Sequence, residues 1–245
     1  VFNGGNTIRR TIESIIHQSN QRWELLIFDS LSNDSTQKII NYYKTETRIK
    51  KKKKKDSGIY DAMNKGIALA QGEWLYFIGS DDCLANSSVL EIIENKIAQK
   101  SMIIYGGTIF IPSNRQYLFQ ASFNTLLNKN ISHQAIFYNK EVFKIFGNYN
   151  TKYKLLADWE FNFRWICGLK NRKNIIYTNE IIALQGESGL SSNYNDNTFY
   201  SDLNDILKNH WKKMSVFKKI SLYIEKKRYY PKQKYYFLKP DSHKS

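Results

Sequence analysis

Cysteine is scarce. Only Cys83 and Cys167 occur in 245 residues, which excludes a disulfide framework and points to a reducing compartment. With four histidines they show none of the spacings of a zinc site. No apolar run approaches the ~20 residues that a membrane-spanning helix needs, and no secretory signal is visible. A Gly-x-Gly-x-x-Gly after a strand and a P-loop are both missing, which removes two common phosphate-binding signatures. There is no internal repeat and no linker, so the chain reads as one large α/β domain, alone or with a tail. It starts at Val1 without an initiator methionine, and further N-terminal sequence is expected.

Positive charge is plentiful, at a net +15, but it is concentrated. Arg48 and the lysines at 50–55 supply seven charges, and twelve Lys/Arg lie against two acidic residues from Lys208 onward. The remainder is close to neutral. A nucleic-acid binder would carry basic residues across a docking face, so no nucleic-acid partner is expected. The tail also holds many Tyr and Phe. It is either a solvated helix or a segment suited to an anionic membrane surface. The expected location is cytoplasmic, with peripheral contact at the inner face of the cell membrane where the tail takes that second role.

Periodicity places a helix after Asn6, its N-cap, with Ile8, Ile12, Ile15 and Ile16 on one face. Residues 23–28 (WELLIF) form a strand ending at Asp29, followed by a polar turn and a helix around Ile39, Ile40 and Tyr43. Strand, turn and helix in this order make a βαβ unit and a parallel sheet. Ahead of it, Val1 and Phe2 are what remains of a first strand. The six lysines at 50–55 interrupt the pattern. They read as a solvated loop or as the product of slippage in an adenine-rich coding tract. Further strands fall at 102–104, 108–111, 117–119, 132–138, 175–177 and 181–184. Helices fall at 87–99, at 140–146 and over KYKLLADWEFNFRWICG, where Phe161 and Trp165 face the core.

The most informative stretch is 56–82, DSGIYDAMNKGIALAQGEWLYFIGSDD. It reads as loop, helix and short buried strand, with Asp81 and Asp82 where the backbone leaves the sheet. Ligands of open α/β sheets bind at the carboxyl ends of strands. Paired carboxylates there suit a divalent cation with a phosphorylated ligand, or else cap the next helix. Asp29 with Asp34 should share that crevice, and Asp158, opening a helix with Glu160, could point into it. Glu160 lies about 200° around the helix from Asp158 and cannot share its role.

In order along residues 1–192, the segments VFNGGNTIRRTIESIIHQS, LLIFDSLSNDST, DSGIYDAMNKGIALAQGEW, FIGSDD and ADWEFNFRW resemble family 2 glycosyltransferases of the GT-A fold. The likeness is to bacterial members that build lipopolysaccharide, capsule or exopolysaccharide. It implies an α/β nucleotide-diphospho-sugar transferase fold, with a mostly parallel central sheet flanked by helices. The domain would span 1–198 and a basic aromatic helical tail 199–245. The implied activity is inverting transfer from a nucleotide-diphosphate sugar, usually UDP-linked, to a hydroxyl of a lipid-linked oligosaccharide acceptor.

By the same resemblance Asn3, Asp29, Gly58, Asp61 and Asp81 bind the nucleotide sugar, with Asp29 on the base. Asp82 holds Mn2+ or Mg2+, and Asp158 is the general base. The plainer readings are an Asx turn for Asp29 and an exposed first-turn residue for Asp61. His133, in SHQAIFY, lines the acceptor side or is structural. The loop 186–192 resembles a segment that closes over the donor. Two departures stand out: the nucleotide-contacting residue ahead of the VFNG segment is absent, and lysines replace a short strand with its acidic pair. A degenerate, non-catalytic member of the fold and a nucleotidyltransferase are the alternatives.

Overall fold

In the computed structural model, described over residues 1–98, 100–187 and 196–213, strand and helix alternate through the first half. Helix α1 (Ile8–Ile16) buries Ile8, Ile12 and Ile15. Its first turn is closed by the Gly4 carbonyl, which accepts from the Thr7 and Ile8 amides at 3.0 and 2.9 Å. The cap position is Thr7, without a side-chain cap bond, which corrects the assignment of that role to Asn6. Strand β1 (Leu25–Asp29) leads to α2 (Thr36–Tyr42). Val1 lies alongside β1, its carbonyl accepting from the Ser30 amide at 2.8 Å.

The lysine run is a strand. β2 (Ile49–Lys53) pairs in parallel with β1, Leu25 opposite Ile49 and Asp29 opposite Lys53. The solvated-loop reading is therefore corrected. A ladder needs only backbone donors and acceptors, and at an exposed position lysine stems lie along the surface with their ammonium groups in water. Lys50 pairs with Glu24 at 2.8 Å and Lys51 reaches Asn41. Lys52, Lys53 and Lys54 border a cavity of about 330 Å3 whose apolar lining includes Phe28 and Leu69.

Helix α3 (Ile59–Leu69) starts at Gly58, whose φ of 135° favours glycine. Then come β3 (Trp74–Tyr76), β4 (Cys83–Leu84) and α4 (Val89–Lys96). The runs read as separate strands at 102–104 and 108–111 are one strand, β5 (Ile103–Ile111), followed by β6 (Arg115–Tyr117) and α5 (Phe123–Leu126). A 3-10 turn (His133–Ala135) leads into β7 (Ile136–Asn139) and α6 (Glu141–Phe146). Helix α7 (Ala157–Gly168) precedes β8 (Ile175–Gly186), again one strand where two were expected, and α8 (Asn197–Lys213).

Six strands form one sheet in the order β3-β7-β5-β8-β4, with β6 also on β5. The α/β layering agrees with expectation, and the strand directions are mixed: β5–β8 is parallel, while β3–β7, β5–β7, β4–β8 and β5–β6 are antiparallel. The register of β5 on β8 shifts at Gly106 and Gly107. A Cβ on Gly106 would press on the Glu180 carbonyl oxygen and lie 2.9 Å from Ile182 Cγ1. Gly106→Ala is expected to cost about 1–3 kcal/mol, as overpacking against backbone does. Urea unfolding checks it, and an unchanged midpoint would show that the bulge relaxes.

The main core lies under α7 and is aromatic, with Phe161, Phe163 and Trp165 all at 0 % exposure. Helix α8 packs on the same body. Its Phe199 stacks on Trp159 at 5.4 Å, and Ile206 and Leu207 join the core. The 198/199 division thus falls inside a packed helix. The remaining tail, from 214, lies outside the described residues. Among the described residues, no helix is long and apolar enough to cross a membrane.

Candidate active site

Three loops meet at one edge of the molecule. β1 and β3 belong to different sheets, and residues 1–5 lie between their exits. The Asn3 amide donates to Ser32 Oγ at 2.8 Å, and Asn3 Oδ1 accepts from the Asn33 amide at 3.0 Å. Gly5 N donates to Asp34 at 2.9 Å, and a Cβ on Gly4 would lie 2.9 Å from Ser80 Oγ. Asn3 itself has φ 48°. Asp29, 2 % exposed, accepts from Ser32 N, Ser32 Oγ and Gln37 Nε2. These bonds tie down the turn that follows β1, and a base contact would have to be made beside them or in place of Gln37.

Asp61 accepts from the Ser57 amide at 2.9 Å and pairs with Lys65 at 2.8 Å, one turn on. The Lys65 ammonium and the Ser57 amide lower its pKa. Asp61 thus occupies the first-turn position of the plainer reading. Its neighbour Tyr60 turns inward and reaches the centre of the site, and the sequence reading passed it over.

The Asp81–Asp82 pair follows the strand β3 as expected, and α1 holds it. Thr11 Oγ1 donates to the Asp82 carbonyl at 2.6 Å and Arg10 Nη2 to the Asp81 carbonyl at 2.6 Å. Asp82, 2 % exposed, accepts from Gly79 N at 3.1 Å, Gly186 N at 2.9 Å and Gln134 Nε2 at 2.8 Å. The Asp81 carboxyl accepts no hydrogen bond from another described residue. Burial and the adjacent Asp82 raise its pKa. Both carboxylates face Gly79, where an added Cβ would lie 2.5 Å from Asp82 Oδ2 and 2.9 Å from Asp81 Oδ1. Their hard oxygens suit Mn2+ or Mg2+. Among the described residues no set of three or more acidic, His or Cys side chains gathers, so such an ion would need diphosphate and water to complete its shell.

The raised pKa sets a sign. The folded protein holds the Asp81 proton more tightly than the unfolded chain, so ionisation with rising pH costs stability. Asp81→Asn should melt higher than wild type at pH 7 without metal. The difference should close below pH of about 4, where the unfolded carboxyl is also protonated. Scanning calorimetry across pH checks this; an equal or lower Tm at pH 7 would refute it.

Asp158 opens α7 and is 5 % exposed. Tyr60 OH and the Trp159 amide donate to one oxygen, both at 2.8 Å. Asn130 Nδ2 at 3.0 Å and His133 Nδ1 at 3.3 Å face the other. Burial and then the Asp158 charge push the Tyr60 phenol well above its ordinary pKa, so it stays a donor. Asn130 is itself held by Asn162, which also accepts from Trp165. Glu160 turns away to Arg164 at 2.6 Å, as its helical position predicts. The consecutive side chains of His133 and Gln134 join the two acidic poles, one reaching Asp158 and the other Asp82. Tyr60, Asn130 and Gln134 escaped sequence reasoning; each sits beside or near a residue that a motif had singled out.

Of the predicted residues, the structure links Asp82 to Asp158 through Gln134 and His133, with Asp81 beside Asp82. Asn3 lies in the 1–5 loop, tied to Ser32 and Asn33 in the turn after Asp29, while Gly58 and Asp61 shape the start of α3. In the closing loop, Gly186 touches Asp82, and 188–192 lie outside the described residues. The 330 Å3 cavity is elsewhere, at the lysine strand and Asp56.

Residues 1–162 match the model of the family described as Glycosyl transferase family 2, and the chain belongs to that family. It is 35 % identical over 198 residues to a PGL/p-HBAD biosynthesis glycosyltransferase of Mycobacterium bovis, covering 78 % of this chain and 77 % of that one. The crystal structure of Staphylococcus aureus TarS 1-349 in complex with UDP superposes with a TM-score of 0.67 at 19 % identity, over 84 % of this chain and 62 % of that one. The mannosyltransferase PcManGT of Pyrobaculum calidifontis, in complex with GDP-Man and Mn2+, gives a TM-score of 0.60 at 14 % identity, over 87 % and 61 %. The chain therefore spans less than two thirds of these solved chains. The shared fold is GT-A.

Proposed function

We propose that this glycosyltransferase transfers a sugar, with inversion, from a nucleotide-diphosphate donor to a hydroxyl of a growing surface polysaccharide. The donor is UDP-linked and the acceptor lipid-linked, met at the cytoplasmic face of the membrane. The observation that carries the reading is the pairing of poles: Asp81–Asp82 at a strand exit, tied through Gln134 and His133 to the buried Asp158. The complexes of TarS with UDP and of PcManGT with GDP-Man and Mn2+ support the donor class and the cation.

Asp82 would hold Mn2+ or Mg2+, which when bound supplies charge stabilisation to the departing diphosphate, and Asp81 would lie by the donor's ribose or sugar. Asn3, Asp29, Gly58 and Asp61 shape the nucleotide side and position the donor, and orientation is a large part of such catalysis. The 158 pole accepts the proton of the attacking hydroxyl. Lysines 50–53 lie in β2 and leave this arrangement standing, which favours an active enzyme over a degenerate one.

A thermal-shift panel of nucleotide sugars with and without Mn2+ tests the reading. UDP with Mn2+ at about 100 times Kd should add about 2.7 kcal/mol. In Asp82→Ala, Mn2+ should no longer improve the UDP shift. A flat response of the wild type to every nucleotide would overturn the transferase reading.

A further inference from the structure

We propose that the cavity between β2 and α3 is a second binding site, separate from the transfer site, which takes a phosphate ester bearing an apolar group. Successive side chains of a strand point to opposite faces. In β2, Lys51 reaches Asn41 of α2, while Lys50 reaches Gln71 just beyond α3. Lys52 and Lys54 therefore share the α3 face with Lys50. Phe28, the register partner of Lys52 on β1, lies on that face as well, its ring 3.6 Å from where a Cβ on Gly66 would stand. From α3, Ala62, Lys65 and Leu69 fall on one stripe at helical spacing and line the same cavity.

A closed layer between α3 and the strands would need apolar side chains at the α3-facing positions of β2. Lysines stand there instead. Their ammonium groups stay in water, and the layer remains open over about 330 Å3, within the size range of small-ligand pockets. None of Asn3, Asp29, Asp81, Asp82 and Asp158 lines this space.

The floor is apolar and the rim cationic. Leu69, on the floor with Phe28 and Ala62, is 51 % exposed, so a ligand's apolar group would cover it favourably. Lys50 and Lys65 are already paired, with Glu24 and Asp61. The Lys52 and Lys54 ammonium groups have no partner among the described residues. The carboxylates on this side are Asp56 and Asp61, held by the Gly58 amide at 3.1 Å and the Ser57 amide at 2.9 Å. With Lys65 offset by Asp61, Lys52 and Lys54 outweigh Asp56 and leave the rim positive. Two ammonium groups about 7 Å apart along one strand can hold a phosphate between them as point charges. A purely apolar ligand would leave those charges unused, and a bare phosphate would leave the floor uncovered. An ester of both kinds satisfies each.

The probe is octyl phosphate, titrated calorimetrically into the intact chain at low ionic strength, with and without saturating UDP and Mg2+. Inorganic phosphate and octyl glucoside supply the two halves of its chemistry. Octyl phosphate should bind at least about ten-fold more tightly than either half. In Lys52→Gln/Lys54→Gln its affinity should fall at least about ten-fold, because hydrogen bonds to charged groups are strong. Lys38→Gln/Lys51→Gln removes the same charge from the α2 side and should change affinity less than about two-fold, since distant surface charges are screened. All four lysines are exposed, and the Tm of each variant verifies that the fold is kept. No binding by the wild type, equal losses in the two variants, or equal affinity for inorganic phosphate would overturn the proposal. So would binding seen only in the absence of UDP, which would place the ligand in the donor site. Phosphatidylcholine vesicles with and without phosphatidylglycerol separate the two sources of such an ester. Phosphatidylglycerol-dependent retention that is weaker for the first variant than for the second supports a lipid headgroup, and equal retention supports a soluble phosphate ester. A wild type that binds octyl phosphate but no nucleotide would overturn the transferase reading and leave this site standing.

Discussion

Asp158→Asn is expected to lose sugar transfer by about 10²–10⁴-fold, the range over which a positioned proton acceptor contributes. Nucleotide-sugar binding should survive, because the substitution keeps the side chain's size and lies away from Asp81 and Asp82. The reason lies in the four donors. An asparagine can present its carbonyl oxygen to Tyr60 and Trp159 and keep those bonds. Its amide hydrogens then face Asn130 Nδ2 and His133 Nδ1, which are donors themselves. Asn130 cannot turn over cheaply, since its oxygen already accepts from Asn162 at 2.7 Å. His133 can respond by moving its hydrogen from Nδ1 to Nε2. One buried mismatch costs about 1–3 kcal/mol, so Tm should also fall by several degrees. Initial-rate kinetics beside UDP thermal shifts check both parts. More than a tenth of wild-type turnover in this variant would remove the carboxylate from proton transfer.

Phe161→Ala is expected to destabilise the protein by about 3–5 kcal/mol. Phe161 is fully buried and central to the aromatic core: it stacks on Phe143 at 4.9 Å and meets Tyr149 at 5.0 Å and Tyr138 at 5.8 Å. Arg164 lies over the ring at 4.9 Å. Truncation removes aromatic area and ring contacts and leaves a cavity that three large neighbours cannot collapse into. For a chain of this size the loss corresponds to a drop in Tm of about 10 °C. It should also lower activity, because α7 carries Asp158 one turn earlier. Urea unfolding followed by fluorescence measures the stability change, and a cost below 1 kcal/mol would show that the core repacks. This is a large share of the 5–15 kcal/mol that holds a typical domain together.

Local pattern carried far in this chain. The isoleucines of α1, the strand ending at Asp29 and the α7 face with Phe161 and Trp165 were legible because periodicity and burial agree there. The lysine strand was not, since six like charges contradict every signal of a buried strand, and only its backbone pairing with β1 makes it one. The single long strands β5 and β8 were read as fragments. In β5, Gly106 and Gly107 look like a break, but they are the place where the register shifts against β8.

The sequence by itself determined the family, the α/β layering and which carboxylates stand at strand exits and a helix start, because those depend on local order and spacing. Only the tertiary structure decided how each carboxylate is used. Asp29 is taken up by Ser32 and Gln37, and Asp61 by Lys65, while Asp82 and Asp158 are linked by two adjacent side chains of a 3-10 turn. Hydrogen-bond partners distant in sequence, such as Tyr60 and Asp158 or Gln134 and Asp82, are chosen by packing, and no spacing along the chain encodes them.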